Sequence, residues 1–257
     1  MDLELYQVVI AIIGGFLAGG INTMVGSGSA ITLSILTEVI GLPPNVANGT
    51  NRVGIIAQSI TTTSSFYKNG KFDIVLKSKF FIFLITIGAF AGVYVATIIS
   101  NDAFKEVFKY LMILIFLVIL VKPKRWLIST QLEKNMNPYL AVPLFLALGF
   151  YGGFIQMGMG VFFLAIMVLV AKYSIMDSNV VKAFSVGIYT ILIIWYFHYK
   201  GLVDWEIGGI LAIGQAVGGY VTAEFASKSK SADLYAYRFL VIIVFLIILK
   251  LFGVISF

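Results

Sequence analysis

Apolar residues fall along this chain in blocks of helical rather than strand length, parted by short polar or glycine-bearing turns. The plainest blocks are Phe80 to Ile99, Val107 to Val121 and Tyr237 to Phe252, and a helix needs about 20 apolar residues to cross a bilayer. Ten elements are expected: 5–24, 29–41, 51–67, 79–99 and 106–121, then 139–157, 160–172, 183–199, 206–225 and 236–253. The expected fold class is an all-α polytopic membrane protein.

Two blocks are interrupted by glycine. "NTMVGSGSAITL" (Asn22 to Leu33) breaks the first, and "IQMGMGVFF" (Ile155 to Phe163) breaks the sixth. The second arm of each hairpin has only about 13 residues, short for a full crossing. A break at membrane depth is tolerated where the backbone lines a cavity or is packed in protein.

The same order of elements occurs twice. "GFLAGGIN" (Gly15 to Asn22) matches "GFYGGFIQ" (Gly149 to Gln156), and "GSG" at 26–28 matches "GMG" at 158–160. "FYKNGKFD" (Phe66 to Asp73) matches "FHYKGLVD" (Phe197 to Asp204), and "GAFAG" (Gly88 to Gly92) matches "GQAVG" (Gly214 to Gly218). The reading is a first transmembrane repeat over 1–122, a cytoplasmic linker over 123–138 and a second repeat over 139–257. Each repeat is a glycine-broken helical hairpin followed by three transmembrane helices.

Composition agrees with lipid as the solvent. Of 257 residues, 60% are hydrophobic and 12% charged, against about 25% charged in soluble domains. Mean hydropathy is +1.00. The net charge of +6 is accounted for by topology rather than by nucleic acid. With 68–78, 122–138, 172–182 and 226–238 placed in the cytoplasm, those loops and the adjoining Lys79 hold thirteen of eighteen bases, Lys182 included. Arg52, Lys105, Lys109, Lys200 and Lys250 stay on the other side. A hairpin returns the chain to its starting side and three crossings move it over. The two repeats are therefore expected to be inverted, with the N-terminus outside, as in many secondary transporters. "MDLELYQ" has no basic n-region, so the first segment is expected to be retained.

The polar residues in the broken helices are the candidate chemistry. Short return helices starting at about Ser29 and Val161 would present N–H groups and the positive dipole end to a cavity between the turns. Gly26, Gly28, Gly158 and Gly160 would let the backbone approach an anion. Ser27, Ser29 and Thr32 add hydroxyls, and Asn22 and Gln156 precede the turns at matching places. Asn48, Thr50, Asn51 and Arg52 stand at the expected start of the third element, where arginine offers a planar donor fork. Lys182 and Ser185 stand near the start of its counterpart. Gln58, Thr61 and Thr62 are expected to line the cavity, with Gln215 a weaker candidate. "GFLAGG" and "GAFAG" read as packing glycines. His198 reads as an interfacial residue, and Glu38 and Glu224 as helix-end acids.

Two such halves, with "LPPNVANGTNRV" (Leu42 to Val53) after the first hairpin, resemble the sulfite exporter TauE/SafE family; "ANGTNR" (Ala47 to Arg52) is the most specific part. The resemblance covers nearly the whole chain. It implies a bacterial inner-membrane transporter of sulfite, thiosulfate or an organosulfonate, commonly outward. A passive anion channel, or a membrane subunit of a larger complex, stays open beside it, as does proton coupling. An intramembrane enzyme would need a nucleophile or metal constellation, and one histidine with no cysteine leaves little to build it from. No cofactor is expected, and the sequence does not give the oligomeric state.

Overall fold

The computed structural model describes residues 3–97, 123–131, 136–154, 156–229 and 231–254, together with 110, 113, 116, 117 and 120. The expected element 106–121 lies outside the described residues apart from those five positions, and so do Lys105, Lys109, Lys122, Lys134 and Lys230.

Every regular element among the described residues is helical. In chain order they are α1 (Leu5–Met24), α2 (Ser29–Ser34), α3 (Pro44–Lys68), α4 (Asp73–Lys77), α5 (Lys79–Ala96), α6 (Pro138–Phe154), α7 (Met159–Ala165), α8 (Ile175–Tyr199), α9 (Trp205–Lys228) and α10 (Ala232–Leu251). Both return arms, α2 and α7, widen into a five-residue π turn, Ile35–Val39 and Ile166–Val170. A 3₁₀ turn, Pro123–Leu127, precedes α6 and buries Trp126 beneath Tyr237. Neither the π turns nor α4 were expected from the sequence. Leu5–Met24, Lys79–Ala96 and Ile175–Tyr199 are long and apolar enough to cross a membrane. Their outward faces show large apolar side chains, such as Ile13 and Leu17 on α1 and Phe83 and Phe90 on α5, as a lipid-facing surface does.

The third elements begin earlier than expected. α3 starts at Pro44 rather than 51, with proline in its first turn. α8 starts at Ile175 rather than 183, where the Ser174 hydroxyl accepts from the Asp177 N–H. Asn48, Thr50, Asn51 and Arg52 therefore lie inside α3. Lys182 lies inside α8, 3% exposed, and not in a cytoplasmic loop. Polarity looked like a helix boundary in the sequence because its buried partners lie far along the chain.

The two halves interleave. α1 packs on α9: β-carbons built on Gly214 and Gly218 would stand 2.1 and 2.0 Å from the carbonyl oxygens of Ile12 and Phe16. α5 packs on α6 in the same manner, with Gly88 and Gly92 against the carbonyls of Leu146 and Phe150 at 2.1 and 2.0 Å. Each hairpin's first arm thus lies against the fourth element of the other half, at a distance only glycine permits. The 25-residue helices α3 and α8 pass through the middle. Both end alike: Gly70 and Gly201 take φ of +69° and +67°. The next N–H then reaches back, Lys71 to the Phe66 carbonyl and Leu202 to the Phe197 carbonyl, each at 2.9 Å.

Candidate functional site

The two interrupting turns meet. Gly26 and Gly158 both have positive φ, +84° and +73°. The Gly160 N–H donates to the Gly26 carbonyl at 3.1 Å, and a β-carbon on either Gly26 or Gly160 would stand 2.2 Å from the other's Cα. Gly28 holds α2 against α1, since a β-carbon there would lie 2.0 Å from the Ala18 oxygen. Ser27 and Ser29 are buried; the Ser27 hydroxyl has no partner, and Ser29 lends its carbonyl to the Thr32 hydroxyl at 3.2 Å.

Beside this crossing lies a small cavity lined by Asn22, Gln58, Ser59, Thr62, Gln156 and Lys182, against the backbone of Gly160. About 20 Å³ of it is open to the centres of water molecules, room for one or two. Its polar wall is a linked chain. Asn22 Nδ2 donates to Gln58 Oε1 at 3.0 Å, and Gln58 Nε2 donates to the Thr23 hydroxyl at 3.2 Å, which sits 3.4 Å from that of Thr62.

Both basic candidates bind helix ends. Lys182 Nζ donates to the carbonyls of Asn22 and Thr23, in the last turn of α1, at 2.9 and 3.2 Å, and to Asn179 Oδ1. Arg52 treats the end of α6 likewise. Its Nη1 donates to the Gly152 carbonyl and to Gln156 Oε1 at 3.3 and 3.1 Å, and its Nη2 donates to the Gly153 carbonyl at 2.8 Å. Two asparagines complete the pattern: Asn48 Nδ2 donates to the Phe154 carbonyl and Asn179 Nδ2 to that of Met24, both at 3.1 Å. The last carbonyls of a helix lack partners and carry about half a negative charge, which a cation with several donors offsets. Among the described residues these carbonyls and the amide oxygens of Gln156 and Asn179, not acids, are the hydrogen-bond partners of the two buried bases, which offsets part of the cost of burying them. Arg52 is fully buried, and its guanidinium also stacks 4.6 Å from the Phe197 ring centre. Gln156, which accepts from it, holds φ at +57°, a left-handed conformation costly for a residue of that size.

Of the residues expected at the site, Asn22, Gln58, Gln156, Gly160 and Lys182 are gathered around this one cavity, with Arg52 and Asn48 next to it through Gln156 and the end of α6. Asn51 does not line the cavity: its Oδ1 accepts from Thr32 at 2.7 Å and from Gln215 at 3.2 Å, while its Nδ2 has no partner. Others lie elsewhere. Thr50 accepts from the Asp204 N–H at 2.9 Å, Ser185 turns back to the Val181 carbonyl, and Thr61 bonds the carbonyls of Ala57, Gln58 and Ala216. The expectation that Thr61 lines the cavity is corrected: its hydroxyl is drawn into the α3–α9 contact, whereas Thr62, one position on, faces inward. His198 is exposed at the end of α8 and accepts from Trp205 Nε1 at 3.1 Å.

Sequence reasoning does not single out Thr23 or Asn179, and it takes Thr61 and Thr62 from the hydroxyl run Ser59 to Ser65 in place of Ser59. Asn179 stands 131 positions after Asn48, the spacing that relates Gly70 to Gly201.

Known proteins similar to this chain are named as membrane transporters. The sequence profile of the family described as "Sulfite exporter TauE/SafE" matches residues 11–251. A protein of a Sinorhizobium species named "Probable membrane transporter protein ORF9" is 27% identical over 235 residues, covering 88% of this chain and 85% of that one. A Haemophilus influenzae protein named "Probable membrane transporter protein" is 26% identical over 243 residues, 90% of each chain. No solved structure matches this chain.

Proposed function

This chain belongs to the sulfite exporter TauE/SafE family of membrane transporters, and from that membership we propose a secondary transporter that moves a small sulfur-containing anion by alternating access. The substrate class is sulfite, thiosulfate or an organosulfonate, the direction is export, and the membrane is the bacterial cytoplasmic one, with the N-terminus outside. The observation that carries the reading is the cavity at the meeting of two broken helices, lined by Asn22, Gln58, Gln156 and Lys182. Neutral donors and one ammonium suit a small oxyanion, and the cavity's carboxylate-free wall does not suit a cation. Inversion of repeats 1–122 and 139–257 about the linker 123–138 is supported by the exchanged packing of α1 on α9 and α6 on α5, and by the distribution of bases. Room for one or two waters is too little for sulfite, so this conformation is a shut one, and transport requires the cavity to open.

The test is flux in liposomes holding the purified protein and sulfite. Saturating efflux that responds to an imposed proton gradient supports a coupled carrier. Flux that rises linearly with concentration makes it a channel, and absence of flux with sulfite, thiosulfate and small sulfonates alike refutes the substrate class.

A further inference from the structure

Arg52 and Lys182 stand 130 positions apart, and so do the carbonyls they bind: Gly152 from Asn22, and Gly153 from Thr23. Each half's central helix therefore holds the end of the other half's broken helix by a base and an asparagine. The two latches differ in surroundings. Lys182 is on the cavity wall, whereas Arg52 is closed off behind Gln156 and Phe197.

We propose that Lys182 and Arg52 are reciprocal anion-binding residues, each exchanging the helix-end carbonyls of the opposite half for the substrate anion, so that binding and unlatching are one event. The proposal rests on the anion-transport reading above. An ammonium has three donors, and all three of Lys182's are engaged, by Asn22, Thr23 and Asn179. An anion entering this cavity meets no other cation. It carries a full charge against the partial charge of a helix end, so it draws the ammonium away from those carbonyls. The end of α1 then loses its cap one turn before the Gly26–Gly160 crossing, which ties it to the other hairpin. Loosening there widens a cavity that is too small to hold the anion while shut. In the opposite-facing state the roles reverse. Arg52 already donates to Gln156 at 3.1 Å, and Gln156 lines the cavity, so one side-chain step brings its guanidinium to the anion.

The test titrates purified protein with sodium sulfite at constant ionic strength held by sodium chloride. Lys182→Gln keeps amide donors for the carbonyls and removes the charge. The expected result is a melting temperature close to the parent's and sulfite affinity at least tenfold weaker. Parental binding with equal binding by K182Q overturns this proposal alone; a parent that binds neither sulfite nor, in the same titration, thiosulfate or a small sulfonate refutes the substrate class as well. Should K182Q fail to fold, Ala183→Cys, in a chain without cysteine, gives a second readout on the cavity wall. Thiol labelling there is expected to change at least threefold with saturating sulfite, and an unchanged rate overturns the unlatching. Arg52→Gln is expected to slow sulfite flux in liposomes at least tenfold; undiminished flux overturns the reciprocal role of Arg52.

Discussion

The meeting of the two turns can be tested with one methyl group. In Gly160→Ala the new β-carbon would stand 2.2 Å from the Gly26 Cα, 2.7 Å from its oxygen and 2.9 Å from its carbonyl carbon. All three are backbone atoms, so no rotamer change relieves the contact. The turns must separate by about 1 Å to restore ordinary van der Waals distance. Overpacking of this kind costs about 1–3 kcal/mol. The 3.1 Å Gly160–Gly26 hydrogen bond stretches with it, at a cost of about 1 kcal/mol. The expected loss is about 2–4 kcal/mol, read as a shifted unfolding midpoint in detergent. The control is Gly209→Ala, also in a helix but with open space around its β-carbon, where alanine is neutral or stabilising by up to about 1 kcal/mol. Should G160A melt with G209A, within about 0.5 kcal/mol, the turns do not touch as described.

Three further outcomes are expected. Gly92→Ala, whose β-carbon would meet the Phe150 carbonyl at 2.0 Å, destabilises by about 2 kcal/mol or more, whereas Gly14→Ala meets only the flexible tip of Ile35 and costs less than about 1 kcal/mol; equal melting of the two removes the packing argument. Asn51→Ala strips the acceptor shared by Thr32 and Gln215 and costs about 1–3 kcal/mol in the same assay; no loss means those buried groups find other partners. Cysteines placed at Lys71 and Lys200, in the matched loops after α3 and α8, are expected to react with an impermeant thiol reagent from opposite faces, Lys71→Cys from inside and Lys200→Cys from outside; labelling from one face contradicts the inversion.

Much of the scaffold was legible from residue order. α1 begins and ends where the apolar block predicts, at Leu5 and Met24. The glycine rows of "GFLAGG" and "GAFAG" were read as packing surfaces, and Gly15 and Gly19 on α1, with Gly88 and Gly92 on α5, do lie against backbone. The starts of α3 and α8 fall earlier than the sequence suggests because Asn48, Thr50, Asn51 and Arg52, and Asp177, Ser178, Asn179 and Lys182, are polar, and polarity next to an apolar block marks an edge when no partner is in view. The cap signal of Ser174 with Asp177 was present and would have moved the second boundary.

The sequence by itself determined the solvent, the helical class and the repeated order of elements, because hydropathy and periodicity are local properties that lipid and backbone hydrogen bonding enforce segment by segment. Only the tertiary structure decided what the polar residues do. Arg52 and Lys182 look alike along the chain, and so do Thr61 and Thr62; where each sits follows from partners at least 100 positions away, helix-end carbonyls for the two bases and the mid-helix carbonyl of Ala216 for Thr61. Carbonyl groups at a helix terminus have no letter in the sequence, yet their partial charge fixes where both bases sit.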